Sequence, residues 1–348
     1  MDVRLSPVQE ALRESVSLVV DRLGPRTVRQ LDDLERAEKL EAAVVASGWR
    51  DLRVPEVDGA PLASGVEAAI VAEELGHGLA DAPFLGLTLA AELRRLASAP
   101  AATAGETVVL APSLSEFAVA VGGLQDGSVA IDAQGAESAL VLVARENNDA
   151  FVLASVPVAS VAVGVDLTRP SAVVGSASPV AVIDQQGRAL SSDDRATCAA
   201  LGLALTCADL VGIMRGAVEL ATGYASSRQQ FGRSVGSFQA VQHLLADALV
   251  LMEGSRSVAR HAAWAVDALD PEEALGAAAR AKAYCARAAR TVCETSIQVH
   301  GGVGNTWECL AHVHLRRALL SSEVLGGVGV NMGRVLAHYG IGATDGLR

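Results

Sequence analysis

The stretch Arg228-Gln-Gln-Phe-Gly-Arg-Ser-Val-Gly-Ser-Phe-Gln239 separates two long, alanine-rich helical runs, and its reading decides the fold. Phe231-Gly232 breaks the helical pattern and leaves an aromatic ring free to pack on a flat ligand. Arg228 can fork two hydrogen bonds onto a pyrophosphate. Gln239 opens the next run, where it can read an amide or an adenine edge. A second break, Gln298-Val-His-Gly-Gly-Val-Gly-Asn-Thr-Trp-Glu308, follows two helical runs later. Its adjacent glycines allow backbone N–H groups to come close to an anion or a ring. A plain helix C-cap accounts for one of these glycines but not for three.

Working outward, the runs 194–226, 236–268, 271–300 and 308–336 read as four long helices with short connections, the pattern of a four-helix bundle. Upstream the texture changes. Thr107–Leu110, Phe117–Val121, Ala139–Val143, Phe151–Ala154, Val158–Val163 and Val180–Ile183 are short β-prone runs divided by Gly, Asp, Asn and Pro, as in a small antiparallel barrel or sandwich. Before about residue 104 the chain is helical again. Ser6-Pro7-Val8-Gln9 reads as an N-cap with proline at the first helical position. Apolar stripes follow from Leu12 to Leu23, and in 35–47, 65–75 and 85–96.

Together the two quoted stretches and this order of helices, strands and helices resemble the acyl-CoA dehydrogenase family. The layout is similar over nearly the whole chain, and the specific motifs over its last third. The resemblance implies a mostly α fold with a central β domain: an N-terminal helical domain (1–104), a small antiparallel β barrel (105–189) and a C-terminal four-helix bundle (190–348). It also implies FAD as cofactor, with Arg228, Gln230, Phe231, Phe238 and Gln239 lining the adenosine and pyrophosphate site. Gln298, Gly301 and Gly302 would reach the FAD held by a facing subunit. An acyl-CoA substrate and electron-transfer flavoprotein as electron acceptor are implied likewise.

The same resemblance exposes a gap. A carboxylate must lie within reach of the substrate α-proton, and the family places it at one of two positions. One comes 27 residues after Gln298 and is Leu325; the other comes 26 residues before Arg228 and is Gly202. Glu323 and Asp209 are the nearest acids to these positions and the two candidate bases. The flavin-ring contacts are reduced as well. The usual Thr-Glu-Pro turn reads Leu110-Ala-Pro-Ser-Leu-Ser-Glu116, and no tryptophan occurs between Trp49 and Trp264. Asp166-Leu-Thr-Arg-Pro170 does resemble a family strand-turn. Ala200 and Leu203 stand where polar contacts to the thioester are common.

Three readings follow. The chain resembles the shorter, base-lacking subunit of actinobacterial α2β2 acyl-CoA dehydrogenases, which oxidise an acyl-CoA, including sterol side chains, to the trans-2-enoyl-CoA with a glutamate from the partner chain. Alternatively it is a homo-oligomeric dehydrogenase using Glu323 or Asp209, or a non-catalytic scaffold without flavin. Composition limits the rest. A formal charge of −12, from 28 Lys and Arg against 40 Asp and Glu, opposes non-specific nucleic-acid binding. The five cysteines contain no CxxC pair and read as buried reduced thiols. Residues 1–7 show no secretory leader. The longest uncharged apolar run, Ala150–Val165, is too short to span a bilayer, so a cytoplasmic protein without membrane insertion is expected. His312 and His314 lack a third ligand and read as a packed or solvated face. The glycines of 327–333 have the wrong spacing for a dinucleotide fingerprint.

Overall fold

The computed structural model describes residues 4–145, 150–183 and 188–341. Helix α1 (Pro7–Leu23) starts as its sequence dictates. The Ser6 hydroxyl accepts the Gln9 N–H, the Gln9 side chain returns to the Ser6 N–H, and Pro7 sits in the first turn. Helices α2 (Leu34–Ala46), α3 (Gly65–His77) and α4 (Leu85–Leu96) complete the N-terminal part.

Seven strands follow: β1 (Glu106–Leu110), β2 (Val119–Ala120), β3 (Ser128–Ala130), β4 (Ser138–Ala144), β5 (Phe151–Pro157), β6 (Ala172–Val174) and β7 (Ala181–Val182). They form one sheet in the order β6-β3-β1-β4-β5-β7, with β2 also on β4. The expected antiparallel barrel needs correction in two pairings. β1 and β2 both run parallel to β4, while the other pairs are antiparallel. The connection from β1 to β4 is long enough for a parallel return, which a tight hairpin is not. The β-branched run Val158–Val163 is no strand. Val158 packs at the edge of the β core, but 159–163 stay exposed, with a single bridge from Ala162 to Ser171. β3 and β6, only three residues each, are too short to show a period of two.

The C-terminal part holds α5 (Ser192–Ser227), a small hairpin of β8 (Gln229–Gln230) and β9 (Arg233–Ser234), then α6 (Gln239–Ala268) and α7 (Pro271–His300). The predicted fourth helix is two helices, α8 (Ala311–Glu323) and α9 (Val328–His338). Its apolar spacing runs on through the break, but a buried cation intervenes. Lys282 of α7, with no exposed surface, donates to the Ser321 carbonyl, to the Val324 carbonyl (2.8 Å) and to the Thr206 hydroxyl (3.0 Å). The chain then turns through Leu325 (φ 60°) and Gly326 (φ 97°). Burial lowers the Lys282 ammonium to about 8 despite neighbouring groups that raise it.

α5 is the central helix. It is the one helix among the described residues long and apolar enough to cross a bilayer, with an 18-residue window of mean hydropathy 1.8. That window is 89% buried inside the fold, as in a core helix. Small residues let α3 close on it. A Cβ on Gly212 would lie 1.9 Å from the Glu73 carbonyl oxygen, so α3 and α5 touch backbone to backbone there.

Candidate functional site

The two glycine-bearing stretches meet at one end of the bundle. α5 ends at Arg228, and the chain reverses through Phe231 (φ 51°) and Gly232 (φ 77°). Two successive left-handed residues match the twist of a two-residue hairpin, so the expected helix break is a β-turn. Phe231 projects from it, 91% exposed, edge-on to Phe238 with centroids 6.2 Å apart. The Arg233 guanidinium lies 4.1 Å over the Phe238 ring. α7 ends at His300, and Gly301 (φ 64°) turns the chain into a 3-10 segment, Gly301–Asn305. The ends of α5, α6 and α7 are fixed together by Ala221, Ala225 and Val299, with Tyr224, Val241 and Leu245 against them. Ser296 donates to the Ala217 carbonyl at 2.9 Å, which ties α7 to α5 just below.

What these segments present outward is unpaired. Arg228, Gln230, Gln239 and Gln298 are all exposed, and among the described residues their side chains have no hydrogen-bond or ion-pair partner. A Cβ added to Gly301 or Gly302 would meet nothing within 4 Å. One guanidinium, three amides, an exposed ring and an open glycine turn therefore face the same end of the molecule. Such a surface suits a ligand that carries a pyrophosphate and a flat heterocycle and comes from outside the chain. The residues present fit the adenosine and pyrophosphate half of FAD.

The flavin-ring half does not fit. Leu325 is 1% exposed and packs on Gly202: a Cβ at Gly202 would be 2.2 Å from Leu325 Cδ1 and 3.4 Å from both methyls of Leu89. The two positions where a base is expected are thus in contact, with an apolar side chain filling the space between them. The turn holding Leu325 is strapped to the β part. Leu325 N–H donates to the Leu114 carbonyl at 2.7 Å, and Leu114 is itself left-handed (φ 57°). Arg334 donates to the carbonyls of Leu325 (2.6 Å) and Ser115 (2.8 Å), and Asn331 to that of Gly326 (2.7 Å). These bonds take up the carbonyls of Leu114 and Ser115 in the 110–116 turn. Ala200 and Leu203 are completely buried and apolar.

Neither candidate base is placed for proton abstraction. Glu323 is exposed at the end of α8, its carboxylate over Gly327, while Leu325 and Gly202 lie inside. Asp209 is buried and locked. Arg317 donates to its Oδ1 through Nη2 (2.6 Å) and Nε (3.0 Å), Ser321 donates to its Oδ2 at 2.5 Å, and Arg169 Nη1 is 3.4 Å from the same oxygen. Burial alone would raise the Asp209 carboxyl, but the charges of Arg317 and Arg169 and these hydrogen bonds hold it below the usual carboxylate range. A buried carboxylate held by three hydrogen bonds and two guanidinium charges is a poor acceptor for a substrate proton. Asp209 thus serves as a structural anion, and Glu323 lies at the surface away from the Leu325–Gly202 contact.

Sequence reasoning missed this network. Arg317 also donates to the Ala80 carbonyl (2.8 Å) and to Thr168 (3.0 Å), and Arg169 donates to Asp166 (2.8 Å). The Asp166–Pro170 motif was a visible signal, but its partner in α5 was not. Arg316 is half-buried, with its guanidinium 5.7 Å from the Trp307 ring.

Comparison with known proteins gives consistent relatives. The sequence pattern of the acyl-CoA dehydrogenase C-terminal domain matches residues 199–339. The acyl-CoA dehydrogenase IpdE2 of Mycobacterium tuberculosis is 33% identical over 329 residues, covering 91% of this chain and 92% of its own. Its namesake from Mycolicibacterium smegmatis is 29% identical over 340 residues, 92% of this chain and 96% of its own. Among solved structures, the ChsE4-ChsE5 complex of Mycobacterium tuberculosis superposes with a TM-score of 0.78 at 24% identity, over 98% of this chain and 99% of that one. The Tcur3481-Tcur3483 steroid ACAD does so with a TM-score of 0.76 at 21% identity, over 95% and 97%.

Proposed function

The chain belongs to the acyl-CoA dehydrogenase family, oxidoreductases that act on acyl-CoA with FAD as cofactor, and from that premise we propose that it is the base-lacking subunit of a heteromeric dehydrogenase. The packing of Leu325 on Gly202 carries this reading. A second, longer chain of the same family supplies the glutamate and the ring contacts in an α2β2 assembly. Bound FAD supplies the hydride acceptor. This chain holds the far end of the cofactor. Arg228 forks onto the pyrophosphate, while Gln230, Phe231, Phe238 and Gln239 line the adenosine. Gln298 and the N–H groups at Gly301 and Gly302 close the site from the α7 side. The strapped turn at Leu325 excludes water and substrate from this chain's own bundle.

A bulky acyl-CoA such as a sterol-derived thioester is the proposed substrate, supported by the steroid ACAD among the structural neighbours. Electron-transfer flavoprotein as acceptor, a cytoplasmic site of action and the domain limits 1–104, 105–189 and 190–348 belong to the same proposal. The exposed Arg228 and the open glycine turn count against a flavin-free scaffold.

The testing experiment is the visible spectrum of the chain purified alone and then with its family partner. The chain alone is expected to be colourless. The assembled complex is expected to carry flavin that bleaches on anaerobic addition of acyl-CoA. A chain that retains and bleaches FAD by itself would overturn the reading. Within the complex, Arg228→Ala removes a charged hydrogen bond worth about 1.5–3 kcal/mol. Flavin affinity, followed by dilution or dialysis, should fall roughly 10- to 150-fold, and unchanged retention would remove Arg228 from the site.

A further inference from the structure

A second guanidinium stands in the hairpin after Arg228 and has no part in the reading above. β8 and β9 pair Gln230 with Arg233 and Gln229 with Ser234. The pairing continues one step further, where the Val235 N–H donates to the Arg228 carbonyl at 2.8 Å, and Arg228 is itself extended (φ −72°, ψ 126°). Directly paired residues share a face, and alternate residues along a strand return to it. Arg228, Gln230 and Arg233 therefore lie on one face of the hairpin, with Gln229 and Ser234 on the other. The hairpin is firmly seated. A Cβ added to Gly236 would lie 3.1 Å from the Ala225 carbonyl oxygen, in the last turn of α5. Ser237 donates to the Ser234 carbonyl (2.7 Å), and the Gln242 amide to that of Gly236 (3.0 Å).

Arg233 is exposed, but its guanidinium does not trail into solvent, since its central carbon is 4.1 Å from the centroid of the Phe238 ring. Stacking uses the flat face of a guanidinium. The N–H donors lie in its plane and stay free for an anion. Neither Arg228 nor Arg233 has a hydrogen-bond or ion-pair partner among the described residues. From Leu220 to Ala246 the chain holds these two arginines and no aspartate or glutamate, although its formal charge is −12. Two positive charges on one face, with no acid of their own in an acidic protein, suit an anion that brings two negative charges. The pyrophosphate of a dinucleotide carries one on each phosphate.

We propose, on the reading that the adenosine and pyrophosphate half of FAD binds here, that Arg233 is a second pyrophosphate ligand: Arg228 takes one phosphate and Arg233 the other. Phe238 then does more than line the adenosine. It holds the Arg233 fork in place before the ligand arrives, so less side-chain freedom is lost on binding. Gln230, directly opposite Arg233 on the same face, adds an amide beside the two forks. The paired guanidinium groups also set the ligand class. A lone phosphate engages one fork, whereas a pyrophosphate engages both.

The test is a flavin-fluorescence titration of the flavin-depleted complex with FAD, at low and at high salt. Arg233→Gln is expected to weaken FAD binding about tenfold or more, the scale of a lost charged hydrogen bond. Arg233→Lys keeps the charge but not the planar fork and should fall between the two. Salt should weaken FAD binding to the wild type more than to Arg233→Gln, because the variant has one charge pair fewer to screen. ADP should compete with FAD better than AMP does, and Arg233→Gln should narrow that difference. Weaker FAD binding by Arg228→Ala but not by Arg233→Gln would overturn the second ligand and leave the site standing. Weaker binding by Arg233→Gln with the salt dependence of the wild type would also overturn it, since Arg233 would then act only through its packing on Phe238. Unchanged FAD binding in both variants would remove the pyrophosphate site itself, and this ligand with it.

Discussion

Asp209→Ala is expected to destabilise the chain by about 3–5 kcal/mol, the scale set by leaving buried charge uncompensated. Asp209 is the shared anion of Arg317 and Arg169, both nearly fully buried. Removing it leaves two guanidinium groups against Asp166, with the Asp132 charge near Arg169. The network also joins parts distant in sequence. Asp209 lies in α5, Ser321 and Arg317 in α8, Arg169 and Thr168 beside β6, and Ala80 between α3 and α4. A lower urea midpoint with loss of partner assembly is the predicted outcome. A near wild-type midpoint would mean the charges find water or other partners.

The same residue sets a pH signature. The Asp209 pKa is lowered in the fold relative to about 3.9 in an unfolded chain. Its contribution is therefore complete above that unfolded value and is lost as pH falls through the folded one. Asp209→Asn keeps the shape but cannot ionise, so its stability should change less steeply with acid than the wild type. An unchanged acid limb would assign the steepness to other carboxylates.

Leu325→Glu should cost several kcal/mol of stability and give no dehydrogenase activity to the chain alone. It places an acid at the family's commoner base position, yet that side chain is 1% exposed and packs on Gly202, next to Leu89. An isolated carboxylate buried there takes up a proton or drives the turn apart, because desolvation of the charge is not offset by any partner. The turn is also held by Lys282, Arg334 and Asn331, so it cannot swing out cheaply. Thermal melts and anaerobic acyl-CoA titration of the isolated variant check both halves. Flavin bleaching by Leu325→Glu alone would show that the ring site is open and that a missing carboxylate was the chain's sole defect.

Much of this was legible in advance, for reasons that differ by element. The caps of α1 and the long alanine-rich runs of α5, α6 and α7 follow from local propensity and apolar spacing, which act within a few residues. The short strands β3 and β6 and the parallel pairings of β1 and β2 with β4 were not legible, because pairing depends on residues far away along the chain. The run Val158–Val163 looks like a strand by composition but pairs through a single bridge, Ala162 to Ser171. The break between α8 and α9 belongs in the same class, since its cause is Lys282 on another helix.

The sequence by itself determined the family layout, the chemistry offered at Arg228–Gln239 and Gln298–Gly302, and the lack of an acid at residues 202 and 325. These are properties of residue type and spacing. Only the tertiary structure decided what fills the vacated base position, which acids are locked into structure, and that the two stretches share one end of the bundle. Those outcomes depend on contacts between helices whose registers are set by close packing: Gly212 against the backbone of α3, Leu325 over Gly202, and Asp209 between two arginines. Packing of this kind joins residues more than a hundred positions apart, and no local pattern encodes it.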